Sequence, residues 1–74
     1  MPPYTKKDRV IADLEEKIRS HVYPVGTKLP SGSELCEIYD VSMQTVRDAT
    51  NYLKAIGLVE GVSGSGIYVK SDGK

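Results

Sequence analysis

Met43, Gln44, Thr45, Arg47 and Asn51 fall in one short run of the 74-residue chain. Their side chains offer varied polar chemistry. A glutamine amide presents a donor beside an acceptor, the pattern that pairs with the major-groove edge of adenine. An arginine fork suits guanine or a phosphate, and a methionine can pack on a thymine methyl. Thr45 and the preceding Ser42 carry hydroxyls that can donate to phosphate. Lys28, Ser31 and Ser33 lie upstream with similar capacity, and Ser63, Gly64 and Ser65 lie downstream in a Gly/Ser-rich stretch. Each residue has a plainer use. Gln44 and Asn51 are ordinary solvated polar groups, Arg47 pairs with Asp48 or Glu34, and Ser31 and Ser42 cap helices. Met43 fills a core or dimer contact, and Tyr52 packs on neighbouring elements.

These side chains share a surface only if the chain between them is suitably folded. Val46, Ala49, Leu53 and Ile56 recur at helical spacing, Ser42 stands where a cap belongs, and Gly57 stands where a left-handed stop is needed. Ser31 and Glu34 have the spacing of a capping box, followed by Leu35, Ile38 and Tyr39 at helical steps. Asp40-Val41-Ser42 separates the two segments. Pro30 to Leu58 therefore reads as a helix-turn-helix, in which the second helix enters the major groove of DNA.

Upstream, Thr5 and Asp8 cap an amphipathic helix expected from about Lys6 to His21, with Val10, Ile11, Leu14 and Ile18 on one face and charged residues on the other. Tyr23 to Gly26 is a turn, and Thr27-Lys28-Leu29 a candidate one-bridge strand. Downstream, Leu58-Val59-Glu60 and Ile67-Tyr68-Val69 flank the glycines as a hairpin. The expected fold is mostly α with a small β-hairpin, a winged helix-turn-helix of three helices plus a two- to three-stranded wing. Residues 1–4 form a leader, 5–69 the domain and 70–74 a flexible tail. The expected core is Ile11, Leu14, Ile18, Leu29, Leu35, Ile38, Val46, Ala49, Leu53, Ile56, Val59 and Val69.

Composition bounds the function. Lys and Arg total 10, Asp and Glu total 10, and the formal net charge is zero. A nucleic-acid-binding surface must then arise from segregated charge, because affinity for the duplex comes largely from phosphate neutralisation. Cys36 is the single cysteine and His21 the single histidine. That pattern argues against a disulfide framework, a multi-cysteine metal site and a His-based nucleophile pair. Cys36 reads as a small buried thiol. The wing glycines lack the strand-to-helix context and the lysine of a phosphate-binding loop. No cofactor, metal or enzyme activity is indicated. No run approaches the roughly 20 apolar residues of a membrane span, which sets a cytoplasmic protein as the default.

Gly26-Thr27-Lys28-Leu29-Pro30-Ser31, Glu34-Leu35, Val41-Ser42, Thr45-Val46-Arg47, Ala49, Leu53, Gly57-Leu58-Val59 and Gly64-x-Gly66-x-x-Val69 stand in an order that resembles the N-terminal winged-helix domain of the GntR family of bacterial transcription regulators. The resemblance covers roughly residues 5–69. It implies sequence-specific binding to a double-stranded operator, usually palindromic, by a homodimer. It also implies a C-terminal effector-binding or dimerisation domain in most members; no small-molecule effector site can be assigned in this chain. The sequence departs from the family's pattern at Ser33 and Met43, where arginine is common, and at Ser63-Gly64-Ser65, where the wing tip is often basic. Arg47 is retained. The missing arginines and zero net charge motivate the alternative of a protein-interaction module on the same scaffold.

Overall fold

Three hydroxyl side chains start the three helices. In the computed structural model, which describes residues 5–73, Thr5 Oγ1 accepts from the Asp8 N–H at 3.1 Å while the Asp8 carboxylate accepts from the Thr5 N–H at 3.3 Å. This complete capping box opens α1, Lys6–Arg19. Ser31 and Glu34 make the second box, at 3.2 and 2.9 Å, and open α2, Gly32–Tyr39. Ser42 accepts from the Thr45 N–H at 3.2 Å and opens α3, Met43–Ala55. Each cap satisfies an amide that the helix itself leaves unpaired. The expected leader, Met1 to Tyr4, and Lys74 lie outside the described residues.

The helices end where the backbone turns left-handed. Gly57 has φ 82, its N–H donates to the Lys54 carbonyl at 3.1 Å, and the Leu58 N–H donates to the Leu53 carbonyl at 3.0 Å. This is a Schellman stop, with Leu58 and Leu53 both buried against each other's turn. α1 ends in the same way, two residues before the expected His21. His21 takes φ 67, its N–H reaches the Ile18 carbonyl at 3.2 Å, and the Val22 N–H reaches the Lys17 carbonyl at 2.8 Å. Asp40, at φ 54, closes α2.

After α3 the chain forms β1, Val59–Val62, and β2, Gly66–Val69, an antiparallel pair in the register Val59↔Val69 through Val62↔Gly66. The Ser65 N–H donates to the Val62 carbonyl at 3.0 Å to close the turn, and Gly64 supplies the φ of 78 that its third position needs. A further segment pairs with the far edge of β2. The Lys28↔Tyr68 bridge is flanked by Leu29 N–H to Ile67 O at 2.8 Å and Val69 N–H to Thr27 O at 2.9 Å.

The core combines Val10, Leu14 and Ile18 of α1 with Leu29, Leu35, Val46, Ala49, Leu53, Leu58, Val59 and Val69, each at most 2% exposed. Three expected members differ. Ile11 is only partly buried, because Val10 points inward instead. Ile38 is 57% exposed: α2 is eight residues long and turns Tyr39 rather than Ile38 toward α1. Ile56 is 43% exposed because it is the C-cap, and Leu58 takes the inward place after the Gly57 reversal. Cys36 is partly buried against this core.

A polar clamp joins α1 to α2. The Tyr39 hydroxyl donates to the Asp13 carboxylate, which also accepts from Lys17 Nζ at 2.5 Å. The Lys17 hydrogen bond, followed by that of Tyr39, holds the Asp13 carboxyl below its ordinary range. Burial, helped by Asp13, pushes the Tyr39 phenol above its own. At the other end, hydrogen bonding does not stop at the expected tail boundary. The Lys70 N–H donates to the Leu58 carbonyl at 2.8 Å, and Asp72 Oδ2 lies 2.9 Å from His21 Nε2.

Candidate nucleic-acid interface

The core settles which way α3 faces. With Val46, Ala49, Thr50 and Leu53 buried, two rows of side chains are left outward at helical spacing. One row runs Met43, Arg47, Asn51, Lys54; the other runs Gln44, Asp48, Tyr52. All seven are exposed. Thr45 is half-buried beside the cap, with its hydroxyl 3.1 Å from that of Ser42.

The start of α2 lies against the start of α3. A methyl group built on Gly32 would stand 3.0 Å from Met43 Sδ. Gly32 therefore lets the methionine side chain pass over the first turn of α2, and the contact sets exposed Ser31 and Ser33 beside the first row of α3. Met43 keeps 39% of its surface, so it is neither core nor fully enclosed. Tyr52, expected to pack on the wing or on α1, stays 47% exposed because its row faces away from the core.

The electrostatics differ between helix starts. α1 and α2 each carry an acidic residue in the first turn, whereas α3 carries none. The partial positive charge at the N-terminus of α3 is therefore uncompensated from within, the condition that favours an anion there. At α2 the Ser31 backbone and then side-chain hydrogen bonds hold the Glu34 carboxyl low, so that terminus already carries a full negative charge.

Among the described residues the ion pairs of Lys and Arg are Lys17–Asp13 and Arg19–Glu15, both within α1. Arg47 pairs with neither Asp48 nor Glu34, and its fork stays open to solvent. Asp48 is instead engaged by Gln44, whose Nε2 donates to Oδ1 at 2.9 Å. Lys28 crosses the hairpin: a methyl group built on Gly66 would stand 2.7 Å from its Cε. Ser63, Gly64 and Ser65 form the exposed tip of the turn, beyond both rows. The structure thus gathers Ser31, Ser33, Ser42, Met43, Thr45 and Arg47 around the start of α3, with Asn51 further along the Met43–Arg47 row. Lys28 and the Ser63–Ser65 turn belong to the neighbouring hairpin.

Lys54 extends the first row. It stands seven residues after Arg47, on the same row, and its stem lies along Gly61 of β1. The i, i+4, i+7 spacing of Arg47, Asn51 and Lys54 was the available signal. Among the described residues no helix is long and apolar enough to cross a membrane, and no group of three or more His, Cys, Asp or Glu is placed to hold a metal.

Comparison with known proteins agrees with this geometry. The profile described as "Bacterial regulatory proteins, gntR family" matches residues 6–69. The Exu regulon transcriptional regulator of Escherichia coli K12 is 42% identical over 64 residues, covering 86% of this chain and 25% of that protein. The Uxu operon transcriptional regulator of the same strain is 40% identical over 67 residues, covering 90% and 25%. The chain thus spans a quarter of the length of each of these two relatives. The N-terminal domain of AraR, solved with a mutant ORR3, superposes with a TM-score of 0.89 at 28% identity, covering 93% of this chain and 99% of that one. The DNA-binding domain of AraR in complex with operator ORR3 superposes at 0.83 with 27% identity, covering 93% and 90%. With its three helices, hairpin and matched profile, this chain belongs to the gntR family of bacterial regulatory proteins.

Proposed function

We propose that this chain is the sequence-specific DNA-binding module of a transcription regulator in the bacterial cytoplasm. The observation that carries the reading is the start of α3: outward, without an acid in its first turn, and joined to the start of α2 through Met43 and Gly32. In this reading the N-terminal part of α3 lies in the major groove and the hairpin turn touches the minor groove or the backbone. Arg47 reads guanine or grips a phosphate, and Gln44 reads adenine after leaving Asp48. Asn51 adds a polar base contact and Met43 an apolar one. Ser31, Ser33, Ser42, Thr45 and Lys28 hold phosphates, and Ser63, Gly64 and Ser65 serve the wing contact. That the similar DNA-binding domain of AraR was solved in complex with operator ORR3 supports the DNA-binding reading.

Two copies bind as a homodimer on a palindrome. A neutral module offers few phosphate contacts, and pairing two modules on half-sites about one helical turn apart multiplies them. Binding-site selection from random duplexes tests the proposal. Enrichment of a two-fold symmetric sequence is expected, and Arg47→Ala should weaken binding to it by about 1–3 kcal/mol if the arginine is bidentate to guanine. No enriched sequence and no binding at low salt would overturn it; capture of a stoichiometric protein partner that DNA does not displace would favour the interaction-module reading.

A further inference from the structure

A shallow groove separates the last turn of α3 from the hairpin and is lined by Lys54, Gly61, Ser63, Gly64, Ser65 and Ile67, among others. One wall is cationic. Lys54 is exposed and makes no ion pair among the described residues. A lysine in a last helical turn suits the negative end of the helix, but this one reaches past that end. A methyl group built on Gly61 would stand 3.4 Å from Nζ and 3.5 Å from Cε, so the ammonium lies over β1. Glu60, the adjacent acid, pairs with Tyr68 and alternates to the opposite face of the strand from Gly61. The other wall is the turn, where Ser63 and Ser65 present exposed hydroxyls on either side of Gly64. Lys54 and the two serines line one groove open to solvent, a combination of cation and hydroxyl donors that suits a single, partly hydrated anion.

We infer that Lys54 and the Ser63 and Ser65 hydroxyls hold one phosphodiester of bound DNA, so that a hairpin with no cation at its tip takes its neutralising charge from α3. The inference rests on the DNA-binding reading above. It makes one helical row serve two purposes: Met43, Arg47 and Asn51 face the bases, and Lys54 grips the strand that the wing straddles. Lys54 then contributes to affinity evenly across sequences, whereas Arg47 contributes to discrimination.

The test measures binding of a random-sequence duplex of about 20 base pairs, two helical turns, by fluorescence anisotropy across a salt series. The wild type, Lys54→Gln and Lys54→Arg are compared. Lys54→Gln should lower the slope of log affinity against log salt by about one, while Lys54→Arg keeps it. The wild-type advantage over Lys54→Gln should shrink about threefold as salt rises from about 50 to about 200 mM. Ser65→Ala should weaken the wild type more than it weakens Lys54→Gln. If the wild type binds and the slope of Lys54→Gln is unchanged, the seat is refuted; a lowered melting temperature alongside that unchanged slope would assign Lys54 to the end of α3 only. If the wild type binds no duplex, the DNA-binding reading fails and this inference fails with it.

Discussion

At the scale of single residues, glycine decides where side chains can pass. A methyl group on Gly66 would displace the end of Lys28, one on Gly32 would crowd the end of Met43, and Gly57 needs the left-handed φ that ends α3. Gly57→Ala should cost about 1–2 kcal/mol, the penalty for an L-residue held left-handed, read as a lower urea midpoint with an unchanged slope. Gly32→Ala should behave differently. It replaces glycine in the first turn of a helix, and the opposing atoms are the flexible end of Met43, so stability should change by less than about 1 kcal/mol. Its effect should appear in DNA binding, because the end of the Met43 side chain must shift where it joins the starts of α2 and α3. An affinity equal to that of the wild type for both Gly32→Ala and Met43→Ala would remove Met43 from the interface.

At the scale of elements, the helix-turn-helix is held to α1 by the Asp13 clamp as well as by the core. Tyr39→Phe should destabilise the domain by about 1 kcal/mol, toward the low end for a bond to a charged acceptor because the Asp13 side chain is 35% exposed. The pH dependence has a definite sign. The folded Asp13 and Glu34 carboxyls sit below their unfolded values, so the stability they confer is present above about pH 4–5 and is lost as pH falls through the folded values. A thermal melting series from about pH 6 to about pH 2.5 should show this fall, and Tyr39→Phe should make it shallower. A flat profile would contradict the clamp. These elements were legible in the sequence to different degrees. The capping boxes at Thr5 and Ser31, the Ser42 cap and the Gly57 stop were all readable, because each depends on residues within one turn. The outward turn of Ile38 was not, because it follows from Tyr39 reaching Asp13, 26 residues away. His21 as the reversal of α1 was hidden too: a non-glycine residue at positive φ leaves little local trace. At the interface the run from Met43 to Asn51 was evident from type and spacing. Its packing on Gly32 and the reach of Lys54 to Gly61 were not, since both are contacts between elements.

At the scale of the whole molecule, a formal charge of zero coexists with a local excess of cation on one row of α3. Lys17 and Arg19 are committed to carboxylates on α1, while Arg47 and Lys54 stand unpaired on one row of α3. Phosphate affinity depends on that local excess rather than on the total. For the proposed homodimer on a palindrome, this predicts a shallow salt dependence for one domain on a half-site that about doubles on the full site. The central claim is that the outward start of α3 is the surface that meets the duplex. Backbone amide NMR during titration with a selected operator duplex tests it most directly. The largest shift changes are expected at Ser31–Ser33, Ser42–Asn51 and Ser63–Ser65, with the middle of α1 nearly unmoved; perturbations centred on α1 or on the outer face of α2 around Ile38, with the start of α3 silent, would place the duplex elsewhere.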